Sequence, residues 1–84
     1  MLAKVYITPK KAILDPQGKA IAHSLHTLEY VEVADVRMGK YLEVRLNGLT
    51  RTQAEQRIEE MCRRLLANLV IEDFRFEIVE DATP

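Results

Sequence analysis

The clearest pattern in the chain is an alternation of apolar and polar residues from Asp35 to Leu46, interrupted by Gly39-Lys40. Alternation is typical of half-buried strands, and a two-residue loop that begins with glycine suits a type II′ turn. The pattern therefore predicts a β-hairpin with its turn at Gly39-Lys40. Its buried face would carry Val36, Met38, Leu42, Val44 and Leu46. Its other face would carry Asp35, Arg37, Tyr41, Glu43 and Arg45.

A stretch with helical spacing precedes the hairpin, from Pro16 to Glu29. Its apolar residues Ile21, Leu25 and Leu28 fall at i, i+4 and i+7, which places them on one stripe of a helix. Asp15 stands just before it, where an aspartate side chain accepts free backbone N–H groups, and proline suits the first helical position. We therefore expect an amphipathic helix capped by Asp15.

A second helical stretch follows the turn residues Asn47-Gly48 and should begin near Arg51. Thr50 and Gln53 have the spacing of a capping box, in which each side chain bonds to the backbone of the other residue. Asn68 is expected to end the helix in the left-handed conformation. The apolar stripe of this helix would consist of Ala54, Ile58, Met61, Cys62 and Leu65.

Alternating residues also predict a strand over Leu2–Thr8, where Val5 and Ile7 alternate with polar residues, and one over Val70–Val79 with Phe74, Phe76 and Ile78 on one face. A phase slip at Ala34-Asp35 predicts a loop or bulge. The element order is then β-α-β-β-α-β. Because crossover connections are right-handed, this order predicts an α+β, ferredoxin-like fold: a four-stranded antiparallel sheet with both helices on one face. Residues 1–84 would form a single domain, with 79–84 as a loose tail.

Charge and composition argue against several classes of function. The 84 residues include 12 Lys and Arg against 13 Asp and Glu, a net charge of −1, so no positive excess attracts a phosphate backbone. The single cysteine, Cys62, excludes an internal disulfide framework. No stretch reaches the roughly 20 apolar residues that a membrane span requires. We therefore expect a cytoplasmic protein that binds neither nucleic acid nor membrane.

Few residues have the spacing of a reactive site. His23 and His26 lie at i, i+3, but zinc needs three or four ligands and no third ligand has suitable spacing. Asp15–Lys19 combines a helix start, a glycine and a lysine, yet it lacks the second glycine of a phosphate-binding loop. Cys62 falls within an apolar stripe and is expected to be buried. The sequence predicts no catalytic, cofactor or metal site.

The sheet face opposite the helices is the more informative surface. Tyr6 and Tyr41 should stand side by side on its central strands, as the base-stacking aromatics of RNA-recognition domains do. Glu43, Asp73 and Glu77 would share that face and repel phosphates, which favours a protein interface instead. A small nucleic-acid-binding module, or a ligand-sensing regulatory module of ferredoxin-like form, is the alternative.

Four segments together resemble the small S subunits (PurS) of phosphoribosylformylglycinamidine synthase, also called formylglycinamide ribonucleotide amidotransferase. The segments are Leu14–Ala20, Asp35–Tyr41, Glu60–Cys62 with Leu65–Asn68, and Ile71–Phe76. They occur in the family's order and spacing over nearly the whole chain. The resemblance implies a role in purine synthesis, where formylglycinamide ribonucleotide, ATP and glutamine yield the amidine, ADP, phosphate and glutamate.

The same resemblance implies how such a subunit acts. Its partners would be the ATP-dependent synthetase and the glutaminase, which it brings together so that ammonia passes between them; ATP and magnesium would bind to the synthetase. We expect this chain to form a homodimer or tetramer and to be an accessory, non-catalytic subunit. The expected self-association residues are Tyr6, Arg37, Tyr41, Arg45 and Arg75. The expected contacts with partner subunits are Asp15, Gln17, Lys19, Gly39 and Lys40.

Overall fold

The computed structural model describes residues 1–80, which form an antiparallel sheet and two α-helices. In chain order the elements are β1 (Leu2–Pro9), α1 (Pro16–Thr27), β2 (Lys40–Arg45), α2 (Arg51–Met61) and β3 (Glu72–Val79). A π-helical turn, Cys62–Leu66, continues α2. The predicted α+β class is confirmed, but within residues 1–80 the sheet has three strands and not four.

The strand order is β2-β1-β3, so β1 lies at the centre of the sheet and pairs antiparallel with both neighbours. Tyr6 of β1 stands opposite Tyr41 of β2 and opposite Arg75 of β3. Successive side chains of a strand point to opposite faces. This register therefore fixes which side chains form the core and which remain on the open face.

The core lies between α2 and one face of the sheet. Val5 and Ile7 of β1 are buried there, and Ala54, Ile58 and Cys62 cover them from the helix. Phe74, Phe76 and Ile78 of β3 face the same side, as the alternation predicted. Burial of aliphatic side chains from both layers, at about 25 cal/mol per Å² of apolar surface, is the main stabilising term.

The predicted start of α2 is confirmed, but its predicted end is wrong. Thr50 and Gln53 form both bonds of the capping box, so the helix begins at Arg51. At the other end the Ala67 N–H donates to the Cys62 carbonyl oxygen at 3.0 Å, and Ala67 is extended. Asn68 therefore does not end the helix in the left-handed conformation; its side chain accepts a bond from Val70 N–H at 3.1 Å.

The π-helical turn also changes which side chains face the core. An i→i+5 bond adds about one residue to the turn, so positions after it rotate away from the 3.6-residue stripe. Leu65, which the stripe placed in the core, is 82% exposed, while Ala67 is buried and Leu66 half-buried. The prediction for Leu65 was wrong for this reason.

The first strand of the predicted hairpin is absent, since residues 31–39 are not paired in the sheet. Arg37 and Met38 of this segment bond instead to the loop between β1 and α1. The Met38 N–H donates to Asp15 at 2.7 Å, and the Arg37 guanidinium donates to two carbonyl oxygens of that loop at 2.8 and 3.0 Å. Of the loop or bulge predicted at Ala34-Asp35, the structure has the loop, because no strand forms in this segment.

The prediction of a type II′ turn at Gly39-Lys40 was also wrong. Such a turn needs a positive φ at its glycine, and Gly39 has none. Position 39 requires a glycine for another reason, because a Cβ there would lie 2.5 Å from the Ile7 carbonyl oxygen of β1. The glycine allows the chain to approach β1 closely just where β2 begins.

α1 begins at Pro16 as predicted, but it does not share the covered face of the sheet with α2. Within residues 1–80, α2 packs against β3, whereas α1 makes no extended contact with the sheet. Gly18 at its base is buried, and Leu28 at its far end is 66% exposed. The described chain is consequently flat and extended, 49 × 31 × 14 Å, with a radius of gyration of 16.3 Å; a compact domain of this length has about 12 Å.

The observed end of α1 and the observed start of β3 differ slightly from the predicted positions. α1 ends at Thr27, two residues before the predicted end, and Glu29 takes the left-handed conformation with φ 75°. β3 begins at Glu72 and includes Val79, the first residue of the predicted loose tail. Residues 81–84 of that tail lie outside the described residues.

Candidate functional site

The sheet face opposite α2 is open to solvent and carries the polar side of every strand. Four of the five residues predicted for self-association lie on it: Tyr6, Tyr41, Arg45 and Arg75. Lys4, Glu43, Asp73 and Glu77 share the face. With three basic side chains from Lys and Arg and three carboxylates, the charges on this open face balance.

Tyr6 is at the centre of the open face and contacts both neighbouring strands. Its ring centroid is 5.1 Å from that of Tyr41, with the planes tilted by 40°. The Arg75 guanidinium lies 3.9 Å from the Tyr6 ring centroid, a cation–π contact, and the Tyr6 hydroxyl donates to Glu77 at 3.4 Å. The sequence prediction that the two tyrosines stand side by side is confirmed.

Tyr41 is held by a neighbouring carboxylate. Its hydroxyl donates to Glu43 at 2.8 Å, and this hydrogen bond is the main reason that the pKa of Tyr41 is raised to about 12. The phenol is therefore protonated at every physiological pH. Because Arg75 covers the Tyr6 ring and carboxylates surround both tyrosines, the face suits aromatic and charged groups of a protein better than a phosphate backbone.

Arg37 does not lie on the open face, so its predicted position was wrong. The hairpin that would have placed it there is absent, and its guanidinium instead bonds to the carbonyl oxygens of Lys10 and Ile13. Its Nε is also 3.9 Å from the Asp15 carboxylate. Arg37 thus ties the segment before β2 to the loop that leads into α1.

Asp15 anchors the base of α1 by two backbone hydrogen bonds. Its carboxylate accepts from Gly18 N–H at 2.9 Å, the helix cap, and from Met38 N–H at 2.7 Å. These two bonds, followed by the smaller effect of the Arg37 charge, hold the pKa of Asp15 below its ordinary value of 3.8. We call this set of contacts between Asp15, Gly18, Arg37 and Met38 the α1 anchor.

The predicted partner-contact residues gather around the α1 anchor. Asp15, Gln17, Gly39 and Lys40 line one shallow groove, which Leu14 also borders with 77% of its surface exposed. Lys19 lies outside that groove and borders a second depression with Asp35 and Arg37. The two segments that the sequence singled out therefore meet at one edge of the molecule, with Lys19 beside them.

Glu72 was missed by the sequence reasoning. Its carboxylate accepts from Asn68 N–H at 2.7 Å and lies 3.3 Å from Lys40 Nζ; the first of these bonds is the main cause of its lowered pKa. The link to Lys40 joins β2 and β3 across β1. No local signal could have revealed it, since Lys40 and Glu72 come together only through the sheet.

The remaining candidates have structural contacts. The His26 imidazole lies 2.7 Å from the Val33 carbonyl oxygen, and among residues 1–80 no group of three or more metal-ligating side chains is assembled. Cys62 is buried, and burial raises the pKa of its thiol. In the same residues no helix has the length and apolar character needed to cross a bilayer.

Comparison with known proteins decides the family. The sequence profile of PurS, described as phosphoribosylformylglycinamidine (FGAM) synthase, matches residues 2–80. This chain belongs to the PurS family. The FGAM synthase subunit PurS of Bacillus subtilis is 49% identical over 77 residues, 92% of this chain and 90% of the relative. A structure of B. subtilis PurS has a TM-score of 0.81 at 48% identity, covering 94% of this chain and 98% of that one.

More distant PurS structures have the same fold. PurS of Methanocaldococcus jannaschii, described as one of the subunits of formylglycinamide ribonucleotide amidotransferase in the purine biosynthetic pathway, has a TM-score of 0.78 at 33% identity. It covers 94% of this chain and 98% of its own. A PurLQS structure from Thermotoga maritima has a TM-score of 0.80 at 23% identity and covers 94% and 99%. The PurS family predicted from the four sequence segments is confirmed.

Proposed function

We propose that this chain is the FGAM synthase subunit that holds the glutaminase and the ATP-dependent synthetase together during purine biosynthesis. Membership of the PurS family over residues 2–80 is the observation that carries this assignment. The T. maritima relative of the same fold belongs to a PurLQS assembly, which is a precedent for such a complex. The subunit acts in the cytoplasm by positioning its partners, so that ammonia reaches formylglycinamide ribonucleotide without escaping to water.

In this role the chain supplies surfaces and not reactive groups. ATP and magnesium bind to the synthetase subunit, and this chain holds no cofactor. The functional groups of the open face support this division, because Tyr41 is bonded to Glu43 and Tyr6 is covered by Arg75. Aromatic groups that are already hydrogen-bonded or stacked in this way can act as fixed anchors for recognition.

The edge around the α1 anchor is the proposed contact with the partner subunits. Gln17, Lys19 and Lys40 are exposed there, and Lys40 retains 61% of its side-chain surface despite its ion pair with Glu72. Exposed Leu14 supplies an apolar centre to this polar rim, the arrangement typical of protein interfaces. Asp15 and Gly39 contribute by fixing the shape of the edge.

The open face is the proposed self-association surface. Lys4, Arg45 and Arg75 balance Glu43, Asp73 and Glu77, so the face has no net charge that would keep two copies apart. A two-fold interface uses the same patch on both protomers, so the patch must not repel itself. Tyr41, half exposed at 50%, supplies an aromatic anchor.

Reconstitution tests the proposed function. Purified synthetase and glutaminase are mixed with and without this chain, and product formation is measured with glutamine and with ammonium as nitrogen source. We expect the glutamine-dependent rate to require the chain and the ammonia-dependent rate to require it much less. Equal glutamine-dependent rates in its absence, or turnover of substrate by the chain alone, would contradict the proposal.

Variants of the edge sharpen the test. Lys19→Glu and Lys40→Gln should weaken assembly of the complex while the isolated chain keeps its circular dichroism spectrum. Lys40 is neutralised and not reversed, because a carboxylate at that position would repel Glu72. Glu55→Lys, a charge reversal on the exposed side of α2, is the matched control. Full glutamine-dependent activity in both edge variants would remove this surface from the proposal.

A further inference from the structure

β3 is an edge strand whose outer side is only partly closed. Next to its ladder with β1, the Lys10 N–H donates to the Ile71 carbonyl oxygen at 2.9 Å, and bonded pairs alternate with unbonded ones along an antiparallel ladder. Asp73, Arg75 and Glu77 therefore direct their backbone N–H and C=O groups toward β1. The backbone groups of the residues between them point away from the sheet.

The two ends of this outer side are already bonded within the chain. The Glu72 N–H donates to a carbonyl oxygen of the turn before β3 at 2.7 Å, and the Ile78 carbonyl oxygen accepts from the Arg51 guanidinium at 2.8 Å. Between these ends, in the described part of the chain, the N–H and C=O groups of Phe74 and Phe76 have no hydrogen-bond partner. We call these four groups the free edge of β3.

A groove beside the free edge has room for another strand. Its volume is about 580 Å³, and its lining combines Leu69, Phe74 and Phe76 with the charged side chains of Glu59 and Arg63. The two phenylalanines belong to the covered face but are only half-buried, so part of each ring borders this groove. An unpaired strand edge next to such a groove is the kind of site to which an extended peptide adds by main-chain hydrogen bonds.

A second copy of β3 is poorly suited to the free edge. A two-fold antiparallel pair that used all four free groups would be centred on Arg75, which would then stand opposite Arg75 of the other copy. Asp73 would stand opposite Glu77 in the same register. Like charges directly opposite each other destabilise an antiparallel pair. A register shifted by two residues would need backbone groups at the ends of β3 that are already bonded.

We propose that an extended segment of a partner subunit adds to the free edge of β3 as a fourth strand of the sheet. The charges of β3 specify its chemistry: a basic residue opposite Asp73, an acidic residue opposite Arg75 and a basic residue opposite Glu77. Apolar residues alternate with these and stand opposite Phe74 and Phe76, because successive side chains of a strand point to opposite faces. That the partner is the synthetase or the glutaminase rests on the proposed function, whereas the pattern of charges and hydrogen bonds does not.

The proposed segment is short and its charged contacts are accessible. The two phenylalanines of the free edge are two residues apart, about 7 Å, so five to seven residues of a partner, or roughly 17–24 Å of strand, cover the edge. Main-chain hydrogen bonds then give affinity and the alternating side chains give specificity. The Asp73 side chain is 63% exposed although its carboxylate lies 2.7 Å from Lys10 Nζ, so it remains open to a second cation.

Residue-resolved amide hydrogen exchange tests the proposal in the complex. The chain is exchanged alone and together with purified synthetase and glutaminase. In the isolated chain the Phe74 and Phe76 amides should exchange fast, because they lack an acceptor, and in the complex they should slow by about tenfold or more. Asp73 and Arg75, whose N–H groups are directed to β1, are the internal controls and should be slow in both samples.

The exchange experiment separates this inference from the proposed function. If the complex forms and the Phe74 and Phe76 amides still exchange as in the isolated chain, the inference is overturned and the proposed function stands. Protection of both amides in the isolated chain, increasing with its concentration, would show that a second copy covers the edge and would also overturn it. If no complex forms, the proposed function fails, and a peptide probe decides the inference.

The peptide probe tests the charge pattern without any partner subunit. The peptide Thr-Lys-Val-Glu-Val-Lys-Thr, with both ends blocked, reads the same in either direction and therefore suits parallel and antiparallel pairing. At millimolar concentration it should shift the Phe74 and Phe76 amide signals in nuclear magnetic resonance spectra of the isotope-labelled chain. The control peptide Thr-Glu-Val-Lys-Val-Glu-Thr places like charges opposite β3 and should bind about tenfold more weakly.

A charge variant of the chain supplies the matching control. Glu77→Lys should weaken binding of the first peptide about tenfold, whereas Glu55→Lys, on the exposed side of α2 and outside the groove, should leave it unchanged. Equal binding of the two peptides to the unchanged chain would contradict the charge pattern. Absence of any shift at Phe74 and Phe76 with either peptide would overturn the proposal.

Discussion

Ile58 offers the most direct test of how the core is built. It lies in the middle of α2 with none of its surface exposed, against Val5 and Ile7 of the sheet. Ile58→Ala removes three carbon atoms; at about 0.8 kcal/mol each the lost transfer energy is about 2.4 kcal/mol, and the cavity raises the expected loss to about 3–4 kcal/mol. A domain of this size has roughly 4–12 kcal/mol in total.

The loss is measured by urea unfolding. The chain has no tryptophan, so the signal is far-ultraviolet circular dichroism. With a slope of about 1.5 kcal/mol per molar, the midpoint of Ile58→Ala should fall by roughly 2 M, and that of Ile58→Val by less than 1 M. All chains are compared at one protein concentration, because self-association adds to apparent stability.

Val70→Ala is the matched control for the same measurement. Val70 is 80% exposed, so its truncation should change the unfolding free energy by less than about 0.5 kcal/mol. The reasoning is refuted if Ile58→Ala and Val70→Ala shift the midpoint equally with unchanged slopes. That result would mean that α2 is not packed on the sheet in solution.

Three further predictions concern caps and titrating groups. Thr50→Ala removes the capping box and should cost about 1 kcal/mol, a fall in melting temperature of about 4–8 °C in calorimetry; an unchanged value would argue against the cap. Asp15 has a lowered pKa, so its stabilising effect is complete above the ordinary value of 3.8 and lost as pH falls through the lowered one. Asp15→Asn should therefore remove this pH-dependent part of the stability, so its acid unfolding curve should differ from that of the unchanged chain. Identical curves would contradict the stabilising role of Asp15. The pKa of Tyr41, raised to about 12 mainly by the bond to Glu43, should return toward 10 in Glu43→Gln when phenolate absorbance is followed, and an unchanged titration would contradict this cause.

Local signals predicted most of the elements correctly. Asp15 and Thr50 each bond to backbone groups within three residues, so their roles as caps can be identified without knowing the fold. Alternation identified the buried face of β1 and β3 for the same reason, since it depends on neighbouring positions. The pairing of Tyr6 with Tyr41 followed because a ferredoxin-like order and the observed order both place their strands side by side.

The failures arise where distant residues compete for the same backbone groups. Val36 and Met38 alternate with polar residues as in a strand. In the structure, however, bonds to Asp15 and from Arg37 hold this segment against the loop before α1. The alternation of apolar and polar residues gives no information about these long-range bonds. Leu65 fits the helical stripe until one extra residue in the π-helical turn rotates it outward. Because this strand is missing, Arg37 does not lie on the open face, where it was predicted to take part in self-association.

The central position of β1 affects how the protein is made. β1 precedes both of its partners in the chain, which begin at Lys40 and Glu72, so its second edge stays unpaired until the chain has been synthesised through β3. At about 5–20 residues per second, Val5 and Ile7 spend several seconds without a complete core. A stop codon shortly before Glu72 would therefore deprive β1 of one neighbour and leave its apolar face partly uncovered.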